Sequence, residues 1–172
     1  MKLLLLPLMA FLVSCVSVPK GIEPIQGFSL NRYLGTWYEI ARLDHSFERG
    51  LSHVSAEYSM RDDGGVRVKN VGYSAAKDRW QEAVGKAYFV KDENIGHLKV
   101  AFQWPFYGSY VVFKLDDDYQ HAYVTGNDLN TLWLLARTPT VDEAVLQDFK
   151  AEAKRKGFDV TSLRTVDQTP LD

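Results

Sequence analysis

The sequence predicts an all-β fold in which eight antiparallel strands are followed by one α-helix. Between residues 36 and 138, apolar and polar residues alternate in short runs that are separated by turn signals. No helical pattern lies between the runs, so neighbouring strands connect directly and run antiparallel. A closed up-and-down β-barrel with the helix packed outside fits this pattern. An open sheet or a two-sheet sandwich of similar strand count fits it nearly as well.

The strand predictions rest on alternation and on turn residues. In the run from 53 to 60, Val54 and Tyr58 lie on one face while Ser55 and Glu57 lie on the other. This run ends before Asp62-Asp63-Gly64-Gly65, a strong hairpin signal because aspartate and glycine accept positive φ angles. The predicted strands cover residues 36–43, 53–60, 66–74, 82–90, 96–103, 107–116, 119–125 and 131–138.

The helix prediction begins after Pro139, where the apolar period changes to 3.6 residues. Thr140 and Glu143 have the spacing of a capping box, with Thr140 as the N-cap residue. Gly157 follows a basic last turn and suits the C′ position. A short final strand is expected around residues 163–166. The apolar stripe consists of Val141, Val145, Phe149 and Ala153.

Composition indicates one globular domain. The chain has 172 residues, of which 46% are hydrophobic and 24% charged, and this excludes a disordered or collagen-like protein. Its formal net charge of −2 supplies no basic surplus to neutralise phosphates, so no nucleic-acid partner is expected. The single cysteine, Cys15, excludes a disulfide within the chain.

The N-terminus carries the pattern of an export signal. Leu3 to Val13 is an apolar run of eleven residues behind one lysine, whereas a membrane span needs about 20. A buried N-terminal helix is the alternative. Residues 12–15, Leu-Val-Ser-Cys, resemble the bacterial lipobox, which implies cleavage before Cys15 and lipid attachment to its thiol. Residues 1–14 are therefore predicted as signal peptide and 15–28 as a lipidated tether. An incidental cysteine is the alternative to the lipobox.

Three short motifs favour the barrel. Gly35 and Trp37 form a G-x-W element, Asp118-Tyr119 opens the seventh strand, and Arg137 ends the eighth. In this order and spacing they resemble the signature of the lipocalins. The strings around Gly35 and Arg61 resemble more particularly the bacterial lipocalins, the outer-membrane branch related to apolipoprotein D. Asp117 departs from the threonine usual before Asp-Tyr. The resemblance extends over residues 29–172 and implies an eight-stranded lipocalin calyx.

The resemblance also implies roles for the signature residues. Trp37 is expected to plug the closed end of the barrel, with the Arg137 guanidinium lying across its indole. Such a contact contributes about 0.5–2 kcal/mol, and the guanidinium donors also suit backbone carbonyls at the barrel end. Gly35, Trp37, Tyr119 and Arg137 are therefore expected to determine the fold and not to contact ligand.

The sequence offers no support for catalysis or for a metal or other cofactor. Its four histidines lack metal-ligand spacing, and no nucleophile, phosphate-loop or dinucleotide motif is present. The acidic clusters at residues 62–63 and 116–118 are explained by turn chemistry. A lipocalin-fold synthase uses a catalytic cysteine, but lipid attachment occupies the only cysteine here.

Candidate ligand-binding residues come from the predicted barrel interior. If Trp37 points inward, Glu39 and Ala41 share its face, and the Glu39 carboxylate is placed to bind a polar head group or a water. A local bulge that turns Glu39 outward is the alternative. A register step of one residue would reverse every inward assignment. The remaining candidates are aromatic: Tyr58, Phe89, Phe102, Tyr110 and Trp133.

Two segments place apolar residues at strand connections. Phe47 and Leu51 lie in or beside a polar loop after the first strand, and residues 102–107 concentrate aromatic side chains. An exposed patch of this kind suits a membrane, a second subunit in a homodimer, or an acyl chain. Packing against the chain's own barrel is the alternative.

The leading functional hypothesis is a lipid-anchored lipocalin on the periplasmic side of the outer membrane. It would bind one fatty acid or lysophospholipid in storage, transport or repair of membrane lipids. The resemblance supplies this ligand class, and Val16 after the cysteine is compatible with outer-membrane sorting. One alternative is a lipocalin-fold enzyme that acts on a lipid. Another is a structural envelope lipoprotein with a filled barrel.

Overall fold

The structure is a computed structural model that describes residues 16–171. The predicted signal peptide and Cys15 lie outside the described residues. The described chain forms the following helices and strands: α1 (Leu30–Tyr33), β1 (Gly35–Leu43), β2 (Leu51–Met60), β3 (Val66–Ser74), β4 (Arg79–Phe89), β5 (His97–Gln103), β6 (Phe106–Leu115), β7 (His121–Thr125), β8 (Leu132–Ala136), α2 (Glu143–Lys156) and β9 (Leu163–Thr165).

Strands β1 to β8 form a closed antiparallel barrel. Each strand pairs with the next along the chain, and β1 closes the barrel by pairing with both β2 and β8. The short strand β9 pairs with the second half of β1, where Ala41 faces Thr165. Closure excludes the open sheet and the sandwich and confirms the predicted eight-stranded barrel. It also pairs the strand edges that would otherwise invite aggregation.

The predicted start of the seventh strand is wrong. Tyr119 was expected to open the seventh strand, but it lies in the turn before β7 with a left-handed φ of +58°. The turn is fixed by Asp116, whose carboxylate accepts backbone N–H groups from Gln120 and His121. The acidic cluster therefore organises a turn that includes the tyrosine.

The long helix α2 packs on the outside of the barrel, as predicted. Phe149 and Ala153 are fully buried against the outer faces of β1, β6, β7 and β8. The capping-box prediction is wrong, because the helix begins at Glu143 with Asp142 as N-cap, and the Thr140 carbonyl accepts a bond from the Thr138 hydroxyl.

The C-terminal end of α2 is a Schellman motif. Gly157 has a φ of +93°, and its N–H donates to the Lys154 carbonyl at 3.1 Å. The N–H of Phe158 donates to the Ala153 carbonyl at 3.0 Å, and its ring stacks on Phe113. The chain thereby reverses direction while its terminal carbonyls remain bonded.

A β-bulge divides β1 into two differently oriented halves. Against β8, Glu39 pairs with Leu135 and Ala41 with Leu134, so Ile40 is the extra residue. Both Ile40 and Ala41 pack in the outer cluster beneath α2. Glu39 therefore faces the barrel interior with Trp37, whereas the expectation that Ala41 shares that face is wrong.

The meander places alternate turns at opposite ends of the barrel. The closed end has the turns at residues 61–65, 90–96 and 116–120 and is crossed by α1. The open end has the turns at 44–50, 75–78, 104–105 and 126–131. Within residues 16–171, no helix is long and apolar enough to cross a membrane.

Candidate functional site

The closed end is sealed by a stack of aromatic rings. Trp37 is fully buried, and its indole N–H donates to the Tyr33 carbonyl at 2.8 Å. The Tyr33 ring stacks on the indole with centroids 4.7 Å apart, and Phe28 packs on Tyr33 at 5.1 Å. These rings fill the barrel below the level of its cavity, so a ligand can enter only from the other end.

Arg137 holds the seal in place from the end of β8. Its guanidinium carbon lies 4.0 Å from the centre of the Trp37 ring. The same group donates hydrogen bonds that join three segments of the closed end. The accepting carbonyls belong to Arg32 at 2.7 Å, Thr36 at 3.0 Å and Tyr119 at 3.3 Å.

Gly35 and Tyr119 complete the closed end through their backbone conformations. Gly35 has a φ of +94°, which strains any residue with a side chain, and a Cβ there would lie 3.4 Å from the Arg137 guanidinium. The Tyr119 hydroxyl accepts the Ser29 N–H at 2.9 Å, and the Arg32 guanidinium lies over its ring at 4.1 Å. All four signature residues thus contact one another or their immediate neighbours.

Above the seal, the barrel contains a cavity of about 740 Å³ that opens at the other end. This volume lies within the range typical of small-molecule sites, which are also concave and mostly apolar. The inward faces of β2, β3, β5 and β8 supply much of an aliphatic wall. Its members include Val54, Val66, Val68, Leu98, Val100 and Leu135.

Three tyrosine hydroxyls meet on the cavity floor. Tyr110 lies between the other two, with its hydroxyl 2.7 Å from that of Tyr33 and 2.9 Å from that of Tyr58. Burial raises the pKa of all three phenols, so they are neutral. The three hydroxyl groups can donate three hydrogen bonds, and only two are made among them. One hydroxyl proton is therefore left without a partner within the three tyrosines.

A buried hydrogen bond between a guanidinium and a carboxyl group interrupts the apolar wall on β1. Arg42 Nη1 donates to Glu39 Oε1 at 2.7 Å, and both side chains are almost fully buried. Arg42 Nη2 donates to the carbonyls of Glu48 and Leu51, at 2.8 and 3.1 Å, so most of its donors are used within the protein. This arginine therefore fixes the loop at 44–50 rather than offering itself to a ligand.

Burial, followed by the neighbouring Glu48 carboxylate, raises the pKa of Glu39 to about 8, although Arg42 opposes the shift. Burial also acts on Glu48, but hydrogen bonds from His45 and Trp133 outweigh it and lower the pKa of Glu48. At neutral pH the cluster therefore contains a protonated Glu39 and an ionised Glu48 that balances Arg42.

The loop at 44–50 folds into the open end. Glu48 Oε2 accepts the Trp133 indole N–H at 3.0 Å, and His45 Nε2 lies 3.1 Å from the same oxygen. The His45 ring stacks on Phe47 with centroids 3.9 Å apart. Phe47 and Glu48 consequently stand on opposite sides of one turn, the first exposed and the second buried.

The structure brings five of the six candidate ligand-binding residues to one cavity. Its lining includes Glu39, Tyr58, Phe102, Tyr110 and Trp133. The sixth, Phe89, does not line the cavity. It points inward at the end of β4, but it lies at the closed end, where its ring packs edge-on against Phe28 at 6.1 Å.

Sequence reasoning did not find Tyr33, Arg42 or Glu48. Tyr33 lies in the four-residue helix α1, before the first predicted strand. Strand alternation assigns Arg42 to the outer face, and the bulge at Ile40 turns it inward. Glu48 lies in a loop, where no periodicity gives direction. Within residues 16–171, no three His, Cys, Asp or Glu side chains form a group that could hold a metal ion.

The comparisons with known proteins give consistent results. The model of the Lipocalin-like domain matches residues 28–168. The chain is 55% identical to the outer membrane lipoprotein Blc of Vibrio cholerae over 155 residues, which are 90% of this chain and 91% of that one. It is 49% identical to the Blc lipoprotein of Escherichia coli K12 over 172 residues, covering 95% and 97% of the two chains.

More distant relatives share the fold. Apolipoprotein D of Bos taurus is 29% identical over 157 residues, which cover 84% of this chain and 80% of that one. Among solved structures, the cockroach allergen Per a 4 superposes with a TM-score of 0.69 at 20% identity, over 90% of this chain and 96% of that one. Insecticyanin of the tobacco hornworm gives 0.70 at 17% identity, over 88% and 86%.

Proposed function

The chain belongs to the lipocalin family, and from that premise we propose that its calyx binds one apolar ligand with an acyl chain, a fatty acid or a lysophospholipid. The observation that carries this proposal is the cavity of about 740 Å³, which has an aliphatic wall, an aromatic seal and a single open end. The alternative, a structural envelope lipoprotein whose barrel is filled by its own side chains, gives no reason for a cavity of this size.

The expected affinity follows from the area of apolar contact. About twelve buried methylenes at about 0.8 kcal/mol each contribute roughly 10 kcal/mol before costs. Losses of translational freedom and chain ordering remove a good part of this. Micromolar to sub-micromolar binding remains, which is strong enough to extract a lipid and weak enough to release it.

The polar groups of the cavity favour a zwitterionic head group over a free carboxylate. Arg42 is committed to Glu39 and to two backbone carbonyls, so it does not offer a free cation to an anionic ligand. Glu48 remains ionised near the open end. A lysophospholipid that leaves its head group hydrated at the mouth avoids this charge, whereas a fatty-acid carboxylate drawn inward meets it.

The proposed setting is the periplasmic face of the outer membrane. Its support is the lipobox-like sequence that ends at Cys15 and the relatives named outer membrane lipoprotein. Thioether-linked diacylglycerol and an acylated amine on Cys15 would together give stable anchoring. In this setting the protein would store, carry or help to repair membrane lipids. A homodimer remains a prediction.

The anchor is tested by Cys15→Ser. The variant is expected to leave the membrane fraction and to take up no radiolabelled palmitate, while the wild type is labelled and remains with the membranes. Palmitate on the variant would show that Cys15 is not the attachment site. A correctly targeted but unlabelled wild type would contradict lipidation itself.

The ligand is tested by native mass spectrometry of the Cys15→Ser protein purified without detergent. We expect one lipid per chain, with the mass of a fatty acid or lysophospholipid. Incubation with lysophosphatidylethanolamine should return the lipid intact. Hydrolysis products would instead support the enzyme alternative, and a ligand-free spectrum that persists after lipid addition would contradict binding.

A further inference from the structure

Exposed aromatic side chains are confined to the open end of the barrel. Among the described residues, every exposed phenylalanine and tryptophan lies in or beside an open-end turn. Trp104 is 75% exposed, Phe106 72% and Phe47 64%, and we call these three residues the aromatic rim. Phe47 and Phe106 also border the cavity, whereas Trp104 does not line it. An apolar patch of this kind marks an interaction surface.

The N-terminal tether leaves the barrel at this same end. The Ser17 hydroxyl donates to the Asn127 carbonyl at 3.2 Å, and Asn127 belongs to the open-end turn at 126–131 and borders the cavity. Cys15 precedes Ser17 by two residues in the sequence, and two peptide units span at most about 7.6 Å. A lipid on Cys15 would therefore be held beside the mouth.

The distribution of charge separates the two ends further. The closed-end turns at 61–65, 90–96 and 116–120 contain seven acidic and two basic residues. The open-end turns contain four acidic and two basic residues, and one of the acids, Glu48, is buried. An anionic lipid surface would repel the closed end and tolerate the open end.

We propose that the open end rests on the phospholipid bilayer in which the Cys15 lipid is inserted, with the aromatic rim in the membrane interface. Tryptophan and phenylalanine are suited to that position because their rings bury apolar area near the head groups. The mouth of the calyx then faces the acyl chains directly. A ligand passes between bilayer and cavity without crossing water. The inference rests on the proposed anchor at Cys15.

The orientation is tested with single thiol labels at the two ends. Ser46→Cys places a label beside Phe47, and Asp62→Cys places one in a closed-end turn; both positions are exposed. Because the proposed thioether to diacylglycerol occupies the Cys15 thiol, the added cysteine is the only free thiol. The lipidated proteins carry nitrobenzoxadiazole and are reconstituted into phosphatidylethanolamine–phosphatidylglycerol vesicles, and flotation is measured on the same samples.

We expect the emission of the label at position 46 to shift to the blue on reconstitution and to be quenched by spin-labelled lipid, while the label at 62 stays water-like. A floating protein with a water-like label at 46, or with a shift at 62, would overturn the orientation and leave the anchor intact. A wild type that fails to float would instead remove the anchor and, with it, the inference.

Transfer kinetics give a second test. Trp104→Ser should slow the uptake of a fluorescent fatty acid from vesicles, while its equilibrium affinity for the dispersed ligand stays unchanged. Met60→Ser removes an apolar side chain that is 50% exposed at the closed end and serves as the control, with no change in rate expected. An unchanged rate in Trp104→Ser, or a Trp104→Ser protein that dissociates from dimer to monomer, would overturn docking of the rim on lipid.

Discussion

A single arginine and a single tryptophan determine how the barrel ends. The guanidinium of Arg137 satisfies three carbonyls that belong to α1, to β1 and to the turn before β7, and it covers the indole of Trp37 at 4.0 Å. The indole N–H also donates to the Tyr33 carbonyl, so Trp37 is held at a ring face by the guanidinium and at its edge by a hydrogen bond. The closed end is thus a hydrogen-bonded unit that defines the floor of the ligand cavity.

Trp37→Ala is expected to lower the free energy of unfolding by about 3–5 kcal/mol, because it removes a fully buried indole and leaves a cavity. Arg137→Ala should cost less. The double variant should cost less than the sum of the two single variants, since the side chains are in contact. Denaturant melts of all four proteins measure this coupling, and strict additivity would contradict the stacked arrangement.

The raised pKa of Glu39 predicts pH-dependent ligand selection. Below about pH 8 Glu39 is protonated, and above it a second anion joins Glu48 in the cavity wall. The affinity for a fatty-acid carboxylate should therefore fall as the pH rises through about 8, because like charges repel. Titrations at a series of pH values check this, with zwitterionic lysophosphatidylcholine as the ligand control.

Glu39→Gln is the matched protein control for this effect, since it mimics the protonated carboxyl and cannot ionise. Its affinity for the fatty acid should stay level across the same pH window. A wild type whose fatty-acid affinity is level as well would show that Glu39 does not titrate in contact with the ligand.

The strand β1 shows where sequence reasoning succeeds and where it stops. Alternation from Trp37 correctly turns Glu39 inward, but the extra residue at Ile40 reverses the assignment for Ala41 and Arg42. No residue type at this point of β1 marks a bulge. Its position depends on the register between β1 and β8, which cannot be read from the sequence. The buried contact between Glu39 and Arg42 was missed for this reason.

The helix α2 was easier to predict because its signals are local. The stripe that contains Phe149 and Ala153 and the stop at Gly157 both follow from nearby residues. The start was misplaced because Thr140 and Asp142 are both acceptable N-cap residues. Which of them begins the helix depends on the path of the chain leaving β8.

Gly157→Ala is expected to destabilise the protein by about 1 kcal/mol, because alanine disfavours the left-handed conformation that ends α2. Steric contact adds little, since the new Cβ would lie 3.6 Å from Leu129. Gly157→Asn should cost less, because asparagine adopts this conformation more readily. Thermal or urea melts provide the comparison, and equal losses in the two variants would contradict the conformational explanation.

For the molecule as a whole, the barrel could be predicted because its motifs are spread along the chain in a specific order. The Gly35–Trp37 element lies far in sequence from Tyr119 and Arg137, and all of them meet at the closed end. The cavity was harder to predict. Its floor depends on Tyr33 in α1, and its depth depends on how far the aromatic rings of the closed end extend into the barrel. Phe89 was misassigned because alternation gives the face of a residue but not its height in the barrel.

The closed floor and the aliphatic wall make binding depend on acyl-chain length. The measurement is a titration of the Cys15→Ser protein with lysophospholipids of increasing chain length and constant head group, followed by quenching of tryptophan fluorescence. Trp133 lines the cavity and is the native reporter. The non-binding reference is the same protein after thermal unfolding, kept unfolded by denaturant so that it has no cavity.

Each added pair of carbons should tighten binding by up to about 1.6 kcal/mol, or about tenfold, with the step shrinking once the chain reaches the tyrosine floor. One lipid should saturate one chain. An affinity that does not change with chain length, or the absence of saturable binding, would contradict the assignment of this cavity as an acyl-chain site.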